Sequence, residues 1–184
     1  PMHKDEVLDG KELPKKYVAF SPCFRREAGS YGQDTRGILR VHQFDKVEMI
    51  SIVPNGEEDK EHDFLLNLEE KLFQGLEIPY RVVRINAKDL GFPISRKYDI
   101  EAWLPGQNTY REMTSVSTTG DFQARRLNIK YQDGQEKKYV NILNGTGFAI
   151  GRTIIAILEN YQQEDGSVLI PEVLQKYMFG IKKI

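Results

Sequence analysis

Residues 24–48 carry the side chains best suited to chemistry. Arg25, Arg26, Arg36 and Arg40 supply guanidinium groups, Phe44 a flat ring, and Glu27 and Glu48 carboxylates, on two strand-like runs separated by a glycine-punctuated loop. Such a set suits a site that holds a polyphosphate, a flat base and a small zwitterion together. A guanidinium presents a planar fork of donors that matches phosphate or carboxylate, so Arg25 is the natural phosphate partner. Glu27 suits either an adenine amino group or a neighbouring arginine. From Leu39 onward, strand alternation puts Arg40, His42, Phe44, Lys46 and Glu48 on one face and Leu39, Val41, Val47 and Met49 on the other. Phe44 and Glu48 then stand about 13 Å apart at roughly 3.3 Å per residue, a span that fits a base over the ring and an ammonium at the carboxylate. A solvated strand face with one exposed aromatic would produce the same pattern.

Two further constellations accompany this one. In Thr109-Tyr110-Arg111-Glu112-Met113-Thr114-Ser115, strand-forming neighbours hold Glu112 on a rigid platform. A carboxylate so placed suits Mg²⁺, a hard ion that takes one or two carboxylates and otherwise keeps water and phosphate oxygens. Ser115 falls on the opposite parity, so it shares an ion with Glu112 only if the strand ends or bulges between them. In Asn144-Gly145-Thr146-Gly147-Phe148-Ala149-Ile150-Gly151-Arg152, paired glycines are expected to open an apolar helix whose N-terminus favours anions. The segment is neither a Walker loop nor a dinucleotide fingerprint. Arg152, on an otherwise apolar helix, needs an anionic partner, which a phosphate or an internal sheet carboxylate would supply.

The elements that must position these residues follow from periodicity and turn signals. Strands are predicted over 17–24, 39–53, 80–85, 99–104 and 109–117, with Pro105-Gly106 as the turn between the last two. Phe64, Leu65, Leu68, Leu72 and Leu76 give helical spacing over 56–76. Asp133-Gly134 marks a hairpin between 127–131 and 139–143. A nearly all-apolar helix over 147–161 should be buried against a sheet, and Pro171 begins a short terminal helix. Hairpins with helices set apart predict an α+β fold on an antiparallel sheet, in a single unit over 1–184.

Composition narrows the class. With 184 residues and 40% hydrophobic content the chain can bury one substantial core. The net charge of −1 argues against a wholesale nucleic-acid coat, so any RNA contact must come from local arginines. One cysteine, Cys23, excludes an intrachain disulfide and a multi-cysteine zinc site, and its apolar-flanked strand predicts an inert core residue. No run approaches about 18 apolar residues, so a soluble, cytoplasmic protein without membrane contact is expected.

Taken together, the segments resemble the class II aminoacyl-tRNA synthetases. Residues 24–48 resemble motif 2, and Asn144 to Arg152 with the following helix resembles motif 3. Tyr98-Asp99-Ile100-Glu101-Ala102-Trp103-Leu104-Pro105-Gly106-Gln107-Asn108-Thr109-Tyr110-Arg111-Glu112, followed by Asp121-Phe122-Gln123-Ala124-Arg125-Arg126, is similar to the seryl-tRNA synthetase family in particular. The resemblance covers nearly the whole chain in order. It implies a class II antiparallel sheet flanked by helices, ATP as substrate with Mg²⁺, and formation of seryl-adenylate followed by transfer to tRNA(Ser), and to tRNA(Sec), by a homodimer. It also implies roles. Arg25, Arg26, Glu27, Phe44, Glu112, Met113, Thr114, Ser115 and Arg152 would bind ATP, with Arg25 on the α-phosphate and Arg152 on the γ-phosphate as the catalytic pair. Glu48 and Thr146 would bind serine, and Glu112 and Ser115 the metal. The loop over 28–37 would meet the tRNA acceptor end.

The chain opens at Pro1 in what reads as mid-domain sequence. It is therefore expected to be the C-terminal part of a catalytic core, without motif 1 or an N-terminal coiled-coil arm, and impaired when isolated. Two competing readings are a paralogue that loads an amino acid onto a carrier protein and a non-catalytic RNA-binding or regulatory module. Arg25, Glu48, Glu112 and Arg152 all present together weigh against the latter.

Overall fold

A computed structural model of the chain describes residues 2–28, 34 and 36–184. Its large sheet has six strands, all antiparallel: β2 (Lys15–Phe24), β3 (Gln43–Val53), β4 (Tyr80–Arg84), β5 (Arg96–Leu104), β6 (Thr109–Thr118) and β9 (Asn141–Ala149), in the order β2-β3-β9-β6-β5-β4. A small sheet joins β1 (Val7–Asp9), β7 (Lys130–Asp133) and β8 (Glu136–Tyr139), with β1 parallel to β7. The helices are α1 (Glu58–Gly75), α2 (Phe122–Leu127), α3 (Ile150–Tyr161) and α4 (Glu172–Gln175). The predicted α+β class holds.

Alternation along the strands assigns the layers. Val53 and Leu143 pack with Leu65 of α1, whereas their neighbours Ile52 and Ile142 pack with Leu8, Ala124 and Ile129. Adjacent strand residues point to opposite faces, so α1 covers one side and the small sheet with α2 covers the other. Ala156 of α3 shares a cluster with Phe73 of α1, which places α3 on the α1 side. The small sheet and α2 cover only one end of their face. Along β3 that face turns from apolar at Ile50 and Ile52 to charged at Lys46 and Glu48, and the charged end is left open.

Several expectations need correction. The strand predicted from Leu39 starts at Gln43, because residues 36–40 form bends and the Arg25 N–H closes the ladder on the His42 carbonyl at 2.9 Å. The helix predicted from Gly147 starts at Ile150, and Gly145 and Gly147 lie inside β9. Glycine is needed there for space: a Cβ on Gly147 would meet Val47 Cγ1 at 3.1 Å. α3 packs on the sheet as expected, through Ala156 with Ala102 and Leu104 of β5, but its other face is left exposed at Ile154 and Leu158. The hairpin at Asp133-Gly134 forms, but the second predicted run divides at Val140 between β8 and β9, which belong to different sheets. Cys23 is half-exposed near the outer edge of the sheet rather than in the core.

A Cβ on Gly145 would stand 3.1 Å from Glu69 Oε1, 3.3 Å from Met49 Cε and 3.4 Å from Val116 Cγ2, all side chains packed from the α1 side. Overpacking of this kind costs about 1–3 kcal/mol. Urea denaturation of Gly145→Ala should show a loss in that range. Gly75→Ala, whose added Cβ meets nothing within 4 Å, should show none.

Candidate active site

The open end of the large sheet forms a cleft lined by Arg25, Glu27, Phe44, Lys46, Glu48, Glu112, Ser115, Asn144, Thr146 and Arg152. Met113 and Thr114 also border it. Of the residues given an ATP, serine or metal role from sequence, Arg26 alone is left out; it is exposed beside Arg25, just past the end of β2. His42, expected on the same face as Phe44, instead places Nδ1 3.1 Å from the Arg25 carbonyl. Most of the loop over 28–37 lies outside the described residues.

Glu48 is the most engaged group in the cleft. Its Oε1 accepts from Asn144 Nδ2 at 2.8 Å, and its Oε2 accepts from Thr146 Oγ1 at 3.2 Å. Lys46 Nζ lies 2.8 Å from Oε2, with both side chains about one-fifth exposed. An ammonium thus already occupies one side of this carboxylate. Neither Lys46 nor Asn144 was selected from sequence, although Lys46 shares the even face with Glu48. Glu48 stands opposite Thr146 in the regular register of β3 with β9, which shifts only beyond this pair, where Gly147 is the extra residue.

At the other end, the Arg25 guanidinium lies 5.3 Å from the centre of the Phe44 ring, within cation–π range. Among the described residues Arg25 makes no ion pair, so its donor fork is available to an anion. Glu27 engages a neighbouring arginine through one oxygen: its Oε2 accepts from Arg40 at 2.6 Å, and that guanidinium holds the carboxyl below the ordinary range. Glu27 has a φ of +53°, a left-handed conformation costly for a residue with a side chain, at the turn that ends β2.

Across the cleft, Glu112 sits between two cations. Arg152 donates through one amino nitrogen to the Glu112 carbonyl at 2.8 Å and lies 3.4 Å from Oε2, while Lys97 Nζ lies 3.4 Å from Oε1 and 2.9 Å from Asp99. The sheet carboxylate foreseen as a partner for Arg152 is therefore Glu112. The parity conflict with Ser115 is resolved by a bulge: Glu101 pairs with Glu112 but Ile100 pairs with Thr114. The extra residue, Met113, turns into the core with Phe73 and Ile100, which brings Ser115 round to the Glu112 face, opposite Asp99. Burial and the nearby Glu112 charge push the Asp99 carboxyl up to about 6. Thr114 uses its hydroxyl on the far side of the sheet, donating to Glu69 Oε2 at 2.7 Å.

An α+β sheet with this cleft belongs to a recognisable class. The family model for the tRNA synthetase class II core domain (G, H, P, S and T) matches residues 1–161, and the chain belongs to that family. Within it, the chain is similar to serine–tRNA ligases. It is 53% identical to the serine–tRNA ligase of Trichlorobacter lovleyi and 57% identical to that of Dictyoglomus thermophilum, over 100% and 99% of its own length. It covers 44% and 43% of those relatives, so it spans less than half their length. Seryl-tRNA synthetase from Pyrococcus horikoshii complexed with ATP superposes with a TM-score of 0.96 at 54% identity, covering 100% of this chain and 41% of that one. The cytoplasmic serine–tRNA ligase of Naegleria fowleri in complex with AMP gives 0.93 at 44% identity, covering 100% and 43%.

Two buried groups behind the cleft make stability depend on pH. Burial lowers the His62 imidazole to about 4 and raises the Glu69 carboxyl to about 8. For His62 the folded state loses stability as pH falls from 6.5 toward 4, because the unfolded imidazole takes up a proton first. For Glu69 it loses stability as pH rises from 4.5 through about 8, because the unfolded carboxyl ionises first. Thermal melts should therefore show Tm of the wild type falling from pH 6 to 8.5. Glu69→Gln should flatten that fall, and a parallel fall in the variant would contradict the assignment.

Proposed function

We propose that the protein containing this chain is a serine–tRNA ligase, with residues 1–184 forming part of its class II catalytic core. It activates L-serine with ATP to seryl-adenylate and transfers the seryl group to tRNA(Ser), and to tRNA(Sec). The observation that carries this reading is the Glu48 carboxylate, bound by Asn144 and Thr146 and ion-paired to Lys46, in one cleft with Arg25, Phe44 and the Glu112–Arg152 pair.

Each residue has a chemical task on this reading. The serine carboxylate attacks the α-phosphorus of ATP, the bond to the bridging oxygen breaks, and pyrophosphate leaves with the electron pair. Arg25 neutralises charge on the α-phosphate and orients the attacking carboxylate, and Arg152 holds the γ-phosphate of the leaving group. Preorganised cations of this kind supply much of the rate in phosphoryl-type chemistry, and no protein nucleophile is needed. Phe44 stacks under adenine, and Glu27 accepts from its amino group. Glu48 takes the substrate ammonium in place of Lys46, while Thr146 contacts serine. A site built to hydrogen-bond a hydroxyl rejects the analogue lacking it by roughly 10⁴–10⁵, which excludes alanine.

Glu112 and Ser115 provide hard oxygen donors on one face, a set that fits Mg²⁺ held mainly by phosphates and water. The ion, when bound, adds charge neutralisation at the phosphates. The full protein acts as a homodimer in the cytoplasm; among the described residues no helix is long and apolar enough to cross a membrane.

Serine-dependent ATP–pyrophosphate exchange by the full-length protein tests the reading. Exchange should require serine and fall by about 10²–10³-fold in Arg25→Ala, in line with loss of a transition-state donor. Wild-type protein that exchanges with another amino acid but not serine would refute it.

A further inference from the structure

The sheet floor beneath the cleft is split. β6 and β9 are neighbours, yet they pair only at Val116↔Gly145, Ser117↔Asn144 and Thr118↔Leu143. β9 continues along β3 as far as Ala149, and β6 continues along β5 back to Thr109. Beyond Val116 and Gly145 the two strands therefore part, and the cleft lies over the opening. Glu112 to Ser115 form one lip and Thr146 with Ala149 the other.

One side chain closes this opening from behind. Glu69, on α1, is fully buried and directs its carboxyl between the strands. Oε2 accepts from Thr114 Oγ1 of β6 at 2.7 Å. Oε1 comes within 3.1 Å of the Cβ position of Gly145 on β9, so no larger residue fits there without moving the carboxyl. The Thr146 N–H is turned toward the same carboxyl but closes no hydrogen bond of good geometry, and Oε1 has no other partner. Met49 and Val116 also crowd this point. A leucine would pack among them without desolvating a polar group, and buried acids are costly unless bonded. Core packing alone does not call for an acid here.

We infer that Glu69 is a positioning residue for the amino-acid pocket, holding Thr114 of β6 and Gly145–Thr146 of β9 at a fixed separation where the ladder opens. The inference rests on the proposed serine site. Thr146 and Asn144 are the groups on β9 that hold Glu48, and a shift of β9 relative to β6 moves all three against the Glu112 lip. A misplacement of about 1 Å far from the reacting atoms suffices for large losses in activity. Glu69 touches no substrate. Its effect passes through the spacing of β9 from Thr114 on β6, and falls first on the serine pocket that Asn144 and Thr146 build with Glu48.

The test uses full-length protein with Glu69→Leu and Glu69→Gln, assayed by serine-dependent ATP–pyrophosphate exchange alongside thermal melts. Glu69→Leu should raise the serine KM at least tenfold, leave the ATP KM within twofold, and retain or raise Tm. Glu69→Gln, which keeps an acceptor for Thr114, should restore the serine KM to within threefold of wild type. Thr114→Val removes the hydroxyl from the other side and should raise the serine KM as Glu69→Leu does; it decides the matter if the leucine variant does not fold. A serine KM within twofold of wild type in Glu69→Leu or in Thr114→Val, or a glutamine variant as impaired as the leucine variant, overturns the inference. Wild-type protein without serine-dependent exchange would instead remove the functional reading beneath it.

Discussion

Only three residue pairs join β6 to β9, and the cleft depends on the ladder stopping there. A sheet paired along its full length would present a continuous floor. Here two strands carrying the needed groups part at the open end of the sheet, and each strand stays rigid through its outer neighbour. β9 is held by β3 and carries Asn144 and Thr146, while β6 is held by β5 and carries Glu112 and Ser115. A bulge at Met113 turns Ser115 to the cleft side, and one at Gly147 re-phases β9 beyond Thr146, while Glu48 reaches the cleft by the plain alternation of β3.

Charge in the cleft is arranged in mutually satisfied pairs. Glu48 is matched by Lys46, Glu27 by Arg40, and Glu112 by Arg152 and Lys97. Arg25 stands outside these pairs among the described residues and faces the Phe44 ring. A cation available for an anion, beside an aromatic surface and close to a carboxylate whose ammonium partner comes from its own chain, is a site poised for exchange. On the proposed function, substrate groups take over interactions that side chains already make, which limits the reorganisation needed at the moment of reaction.

Much of this was legible in the sequence, because alternation along β3 is a local property and places Phe44, Lys46 and Glu48 together without tertiary knowledge. The hairpins and α1 were legible for the same reason. What escaped depended on contacts distant in the chain. Gly145 and Gly147 read as the mouth of a helix, but they are small because Glu69, Met49 and Val47 occupy the space behind them. The shared face of Glu112 and Ser115 required a bulge that parity counting could pose as a condition but not supply. Glu69 and His62 belong to a helix dense in acidic residues, Glu58 to Glu70, and only the fold shows both to be fully buried. The pairing of β1 with β7 spans more than a hundred residues and leaves no periodic trace in either three- to four-residue strand.

The central claim is that the Glu48 carboxylate exchanges its internal ammonium, Lys46, for that of serine. A crystal structure of the full-length protein with a non-hydrolysable seryl-adenylate analogue tests it most directly. The account predicts the serine ammonium within hydrogen-bond distance of Glu48, Lys46 displaced from it, and adenine stacked on Phe44. An analogue bound with the Lys46–Glu48 pair intact and the serine moiety elsewhere would contradict it.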